Sequence, residues 1–250
     1  MRDDLGNRMK EFYENRTATY LPRRTYTIIR IDGKAFHTFT KQFDRPFDNN
    51  LIDFMNHTTL QLCKQIQGCK FGYVQSDEIS LVLTDFDRLE TSAWFDGNIQ
   101  KICSVSASIA TSEFNKIYML RSYNLTEKVD DLLNKIGVAQ FDSRTFSIPY
   151  IEEVVNYFIW RQQDCTRNSI QSVAQSLYSQ KELQNKKQNE LQELIFKKGI
   201  NWNDYSSDLK CGRGFIYTNG IWSKVDVLPI FSQNRFFIKD LLDVKDKIND

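Results

Sequence analysis

No run of eighteen or so apolar residues occurs anywhere in the 250-residue chain, so no membrane-spanning helix is expected. Met1-Arg2-Asp3-Asp4-Leu5-Gly6 lacks the apolar centre of a secretory signal, and its acids oppose a transit peptide. Cysteine is sparse, and Cys63, Cys69, Cys103, Cys165 and Cys211 form no Cys-x-x-Cys pair. An odd, scattered set excludes a disulfide frame or a legible zinc site and points to reduced thiols in a cytoplasmic protein. Cys63 and Cys103 lie on apolar faces and are expected to be small core residues. Internal repeats and low-complexity tracts are also missing. Net charge is only +1, so bulk electrostatics neither demand nor exclude nucleic acid; a local basic patch would suffice.

What is present fits an ordinary globular protein, with 41% hydrophobic and 26% charged residues and 18 Phe to fill a core. Asp4 to Thr17 reads as a helix ended by Leu21-Pro22, and Thr25 to Ile31 as a buried strand. Asp48 then caps a helix with Leu51, Phe54, Met55, Thr58, Leu62 and Ile66 at helical spacing, stopped by Gly68. Phe71 to Gln75 and Ile79 to Thr84 form an apolar hairpin. A second helix runs from Ile99 to Phe114, whose Ser104, Ala107 and Ser108 would allow close packing on a sheet. Phe141 to Ile148 is a fourth strand ended by Pro149. The order strand, helix, strand, strand, helix, strand is the split, ferredoxin-like order of a polymerase palm, an α+β class whose sheet would bury one face under both helices.

Beyond Pro149 the pattern turns helical, over Glu152 to Asp164, Ser169 to Leu177 and Lys181 to Lys198. Asn201 to Tyr217 reads as a loop, followed by a small hairpin turning at Asn219-Gly220, and Asp240 to Asp250 as a frayed helix. The chain thus divides into a palm-like catalytic region over 1–149 and a helical region over 150–250 that packs on it. Basic candidates are Arg23-Arg24, the lysines at 181, 186, 187, 197 and 198 along the late helix, and Lys210 and Arg213 flanking a Gly turn. The late-helix lysines alternate with Glu182, Glu190 and Glu193, the pattern of a solvated face.

Two segments carry chemistry. Ile28-Ile29-Arg30-Ile31-Asp32-Gly33-Lys34-Ala35-Phe36-His37 ends an apolar strand in Asp-Gly, a sharp turn that exposes backbone amides. Tyr73-Val74-Gln75-Ser76-Asp77-Glu78 sets acids at a hairpin tip. Each alone is more often a plain turn. If the two strands are neighbours, Asp32 and Asp77 converge at one sheet edge, an arrangement suited to divalent metal and phosphoryl or nucleotidyl transfer.

With these elements in place the chain resembles the tRNA-histidine guanylyltransferase family, and within it the like-protein branch of 3'-to-5' RNA polymerases. The resemblance runs from about Gly6 to Gly214 and rests on five blocks in order. They are Ile31 to His37, Arg45-Pro46-Phe47-Asp48, Tyr73 to Glu78, Phe141-Asp142-Ser143-Arg144 and Trp160-Arg161-Gln162-Gln163-Asp164-Cys165. It implies that Asp32 and Asp77, with the Gly33 carbonyl, hold two magnesium ions, and that Glu78 completes the catalytic set. It implies that Lys34, Ala35, Phe36 and His37 cradle a triphosphate, His37 through its amide, with Ser76, Arg45 and Lys186 or Lys187 as further phosphate contacts. Lys210, Arg213 and Asn168 are the weaker RNA-binding candidates.

The implied reaction activates an RNA 5'-monophosphate with ATP, after which the 3'-hydroxyl of an incoming GTP or other nucleotide attacks the activated end. No side-chain base is needed, which suits a chain with two histidines. Where the resembled eukaryotic guanylyltransferases carry His-Ile-Asn-Asn this chain has Thr166-Arg167-Asn168-Ser169, which favours templated repair of 5'-truncated tRNA over dedicated guanosine addition to histidine tRNA. The resemblance further implies a homotetramer, a dimer of dimers. A palm-domain nucleotide cyclase and a non-catalytic RNA-binding subunit are the readings to be separated from it.

Overall fold

The computed structural model describes residues 4–123 and 138–243. Of the tail helix expected from Asp240, the part beyond residue 243 lies outside them. One six-stranded antiparallel sheet organises the chain, built from β1 (Tyr26–Gly33), β2 (Cys69–Gln75), β3 (Glu78–Leu83), β4 (Phe141–Ile148), β5 (Arg213–Thr218) and β6 (Ile221–Lys224). Their spatial order, β4-β1-β3-β2-β5-β6, contains the ferredoxin-like order in its first four strands. The late hairpin turns at Asn219-Gly220 as expected, but it starts earlier than the sequence pattern suggests. Arg213 to Thr218 is a strand, not loop, and it extends the palm sheet along β2.

Side-chain alternation decides the layers. Ile29, Ile31, Val74, Ile79 and Leu81 face α3 (Asn49–Gln65) and α4 (Ile99–Tyr123), meeting Met55, Leu62 and Phe114. Ile28, Phe71, Tyr73 and Val82 face the other way, against Val154, Val155 and Phe158 of α5 (Ile151–Leu177) and Ile238 of α9 (Phe236–Leu242). Two helices under one face were expected; the second face is covered too. Double coverage explains why all six residues of β3 are buried. α3 comes close to the sheet at Gly72, where a Cβ would lie 2.4 Å from the Cys63 sulfur.

Several boundaries differ for local reasons. The expected helices 152–164 and 169–177 are one continuous α5, because nothing between them is Gly or Pro and Asp164 spends its carboxylate on Arg161 and Arg167 of the same helix instead of capping. The expected helix 181–198 is two, α6 (Gln180–Leu183) and α7 (Gln188–Lys197). Asn185 at φ 62° breaks it, and the Glu190 carboxylate caps the new start by accepting from the Lys187 amide at 2.8 Å. The first helix, α1, is Asp4–Phe12, followed by a short 3-10 turn at Glu14–Thr17. α4 runs on past Phe114 because Tyr118 is also in the core. Ser106 and Ala110, rather than Ser104 and Ser108, approach the sheet, and Ser106 Oγ shares a 2.8 Å hydrogen bond with Ser143 Oγ of β4. Cys63 is buried as expected, whereas Cys103 is only half-buried.

Candidate active site

β1 lies between β3 and β4, and register aligns Asp142, Asp32, Glu78 and Gln75 across four strands. Asp32 and Gly33 are still in the strand; the sharp turn comes two residues later, with Ala35 at φ 53°. This corrects the expectation of a turn at Asp-Gly. Keeping Asp32 in the ladder fixes its carboxylate on a rigid element, directly opposite Glu78. The Gly33 amide donates to the Asp77 carbonyl at 3.2 Å and the Lys34 amide to the Gln140 carbonyl at 2.8 Å, which ties the start of the loop to the hairpin tip and to the residue before β4. Phe36 then anchors α2 (Phe36–Phe39) in an aromatic cluster, its ring centroid 5.6 Å from that of Phe114 and 5.1 Å from that of Phe141. The loop that carries Lys34, Ala35 and His37, all exposed, is therefore held from beneath.

Asp32 and Asp77 do converge. Burial, reinforced by the negative charge of Asp32, pushes the Asp77 carboxyl up to about 6. Burial also raises Glu78, against the opposing pull of Arg161 and Arg30. Like charges crowded in a low-dielectric corner fit a cation-binding site with hard oxygen donors. Among the described residues no group of three or more His, Cys, Asp or Glu forms a ready-made cage. Magnesium is ordinarily held by one or two carboxylates with water and substrate phosphate completing the shell, so this donor set fits it.

Glu78 has different company from Asp77. Its Oε1 lies 3.2 Å from Arg161 Nε and its Oε2 3.5 Å from Arg30 Nε, while Arg30 Nη2 is 3.5 Å from Asp32 Oδ2. Arg161, 4% exposed, also reaches Asp164 Oδ2 at 2.5 Å and stacks on the Trp160 ring at 3.9 Å. Although burial works against it, hydrogen bonds from Arg161 and Arg167 hold the Asp164 carboxyl below its ordinary range. Asp32, Arg30, Glu78, Arg161 and Asp164 thus alternate in sign from the sheet edge into α5. Sequence reasoning missed Arg30 and Arg161, although Arg30 lies in the Ile28 to His37 segment and Arg161 in the Trp160 to Cys165 block. The available signal was an arginine two residues before Asp32, hence on the same strand face.

Beside the hairpin tip opens a cavity of about 290 Å³ between the loop before α3, Ser76, the middle of α5 and the start of β5. His37, Arg45 and Ser76, all exposed, line it, as do Asn168 and Arg213. Three other expected positions behave differently. Lys186 is exposed in the break between α6 and α7, as is Lys187 at the α7 N-cap, so neither projects from a helix face. Lys210 Nζ is spent on the Asn203 carbonyl at 2.5 Å and lies over the Trp202 ring. Arg213 is buried in β5 rather than presented on a surface turn. Asn168 stays exposed at the cavity, its Nδ2 3.4 Å from Asp164 Oδ2.

Residues 6–149 match the protein family described as tRNAHis guanylyltransferase. A tRNA(His) guanylyltransferase of Debaryomyces hansenii is 30% identical over 75% of this chain and 72% of its own. The chain spans 64% and 72% of the lengths of the first two curated relatives it matches. A bacterial tRNA(His) guanylyltransferase-like protein, solved in complex with ATP, superposes with a TM-score of 0.87 at 40% identity, covering 96% of this chain and all of that one. A structure of such a protein in complex with GTP gives 0.77 at 39% identity over the same shares.

Proposed function

The chain belongs to the tRNAHis guanylyltransferase family of nucleotidyltransferases, and on that premise we propose that it adds nucleotides to the 5' end of truncated tRNA under the direction of a template strand. The observation that carries the reading is the meeting of Asp32 and Asp77 at one end of the central strands, beside a cavity rimmed by His37, Arg45 and Ser76. Relatives solved with ATP and with GTP support nucleoside triphosphates as the occupants.

Asp32, Asp77 and the Gly33 carbonyl would hold two magnesium ions, whose chemistry when bound is activation of a hydroxyl nucleophile and neutralisation of phosphate charge. The chain's own groups do the rest. Amides from Lys34 to His37 present donors to phosphate oxygens from a loop locked by Phe36. Ser76 donates its hydroxyl beside them, and Arg45 supplies an exposed cation at the cavity rim. Glu78 works through Arg30, which leans on Asp32, so it is a positioning residue. The palm region over 1–149 holds the carboxylates, and the region over 150–250 closes the cavity with Asn168 and buttresses Glu78 with Arg161. Lys186 or Lys187, exposed on the α6–α7 break, is proposed as a further phosphate contact on the strength of the family resemblance.

A homotetramer acting in the cytoplasm completes the proposal. Support for assembly comes from α1, which buries nothing yet exposes Leu5, Met9 and Phe12. No helix among the described residues is long and apolar enough to cross a membrane.

A tRNA lacking its first 5' nucleotide, offered with magnesium, ATP and all four nucleotides, tests the reaction. Restoration of the base that pairs with the opposite strand is the expected product. Guanosine added whatever the template would instead make the chain a histidine-tRNA guanylyltransferase. A cyclic product from GTP without RNA would make it a cyclase, and binding without addition would leave an RNA-binding subunit.

A further inference from the structure

Arg213 opens β5 directly opposite Val74 of β2, so it stands beside the hairpin that carries Ser76 and Asp77 at its tip. It is 4% exposed, yet no carboxylate among the described residues forms an ion pair with it. Its Nε donates to Asn56 Oδ1 at 3.0 Å. Asn56 is the one hydrogen-bond partner of its guanidinium among the described residues, and Arg213 lines the cavity. Asp208 and Asp53, the carboxylates whose fields reach it, are engaged elsewhere. Lys224 Nζ takes Asp208 at 2.5 Å, and Arg121 Nη1 takes Asp53 at 3.1 Å.

A guanidinium largely withdrawn from water with no carboxylate to pair it weighs against folding, and hydrophobic residues of similar size usually do better in such a place. Burial holds its pKa below the ordinary arginine range. A cation kept in that state at a cavity wall marks where an anion completes the site. Its planar fork matches phosphate oxygens two at a time, and Ser76, Arg45 and His37 line the same space.

We infer that Arg213 is a phosphate-binding residue whose free η nitrogens donate to non-bridging oxygens of a phosphate lodged in this cavity. The inference rests on the reading above that a nucleotide occupies the cavity. Two sources share this chemistry, the polyphosphate tail of the bound nucleotide and the 5'-terminal phosphate of the RNA.

Calorimetric titration of Arg213→Met and Arg213→Gln separates them without any turnover. The ligands are ATP, inorganic tripolyphosphate and adenosine, together with one RNA carrying either a 5'-monophosphate or a 5'-hydroxyl. Both variants are expected to keep or raise the melting temperature while ATP and tripolyphosphate bind tenfold or more weakly and adenosine is unaffected. If ATP binding is retained but the RNA's 5'-phosphate no longer improves its affinity, the phosphate is the RNA's, and the assignment of Arg213 stands.

Unchanged affinity for every phosphate ligand would overturn it, as would an equal loss for adenosine. Failure of both variants to fold would also overturn it, because Arg213 would then serve the fold rather than a ligand. A wild-type protein that binds phosphate through Arg213 yet never extends RNA would sink the proposed reaction and leave this inference standing.

Discussion

Asp77→Asn should abolish nucleotide addition, by about 10³-fold or more, while making the metal-free protein more stable. The substitution keeps shape and removes one of the two negative charges, Asp77 and Asp32, that share a half-buried corner. In the folded chain the carboxyl is pushed up to about 6, from an ordinary value of 3.8. A raised value means that the folded state favours the protonated acid. Its relative stabilisation is therefore fully present below pH about 4 and lost as pH rises through about 6. At pH 8, with chelator present, the wild type carries the whole penalty and Asp77→Asn does not, a difference of about 1–3 kcal/mol. Thermal denaturation of both proteins between pH 4.5 and 8 checks this: the curves should meet at low pH and separate at high pH. Parallel curves would show that Asp77 is not under electrostatic load.

Arg161→Met should be the most destabilising single change in the site, because it strands two acids at once. Glu78 loses its 3.2 Å partner inside the protein, and Asp164 loses one of its two arginines. Removing one member of a buried ion cluster costs about 3–5 kcal/mol, which for a chain of this size lowers Tm by roughly 6–20 °C. Adding Glu78→Gln to that variant removes the stranded charge and should restore a sizeable part of the loss, although not the activity. If the double variant melts no higher than Arg161→Met alone, the alternation of charge from Asp32 to Asp164 is not what holds this corner together.

The palm was legible because its evidence is local. Ile28 to Ile31 and Ile79 to Leu83 are unmistakable buried strands, and Asp48 before Leu51 is a capping signal that needs no tertiary knowledge. Asp32 and Asp77 were legible for the same reason, as acids at the ends of apolar strands. What escaped depends on contacts far apart in the chain. Whether Arg213 is exposed or buried is decided by β5 pairing with β2, 139 residues upstream of it at Val74. The fusion of two expected helices into α5 depends on where Asp164 spends its carboxylate. Arg30 and Arg161 acquire meaning only when both reach Glu78 from opposite sides of the sheet–helix seam. Lys186 was misplaced because a break at Asn185 follows from backbone φ, which alternating Lys and Glu do not reveal.

Crystals grown with ATP and manganese offer the sharpest check on the site, since manganese takes the same oxygen ligands as magnesium and is identified by its anomalous scattering. The account predicts anomalous density between the carboxylates of Asp32 and Asp77, in contact with the nucleotide's phosphates. Manganese bound elsewhere, with those two side chains turned apart while ATP is present, would contradict it.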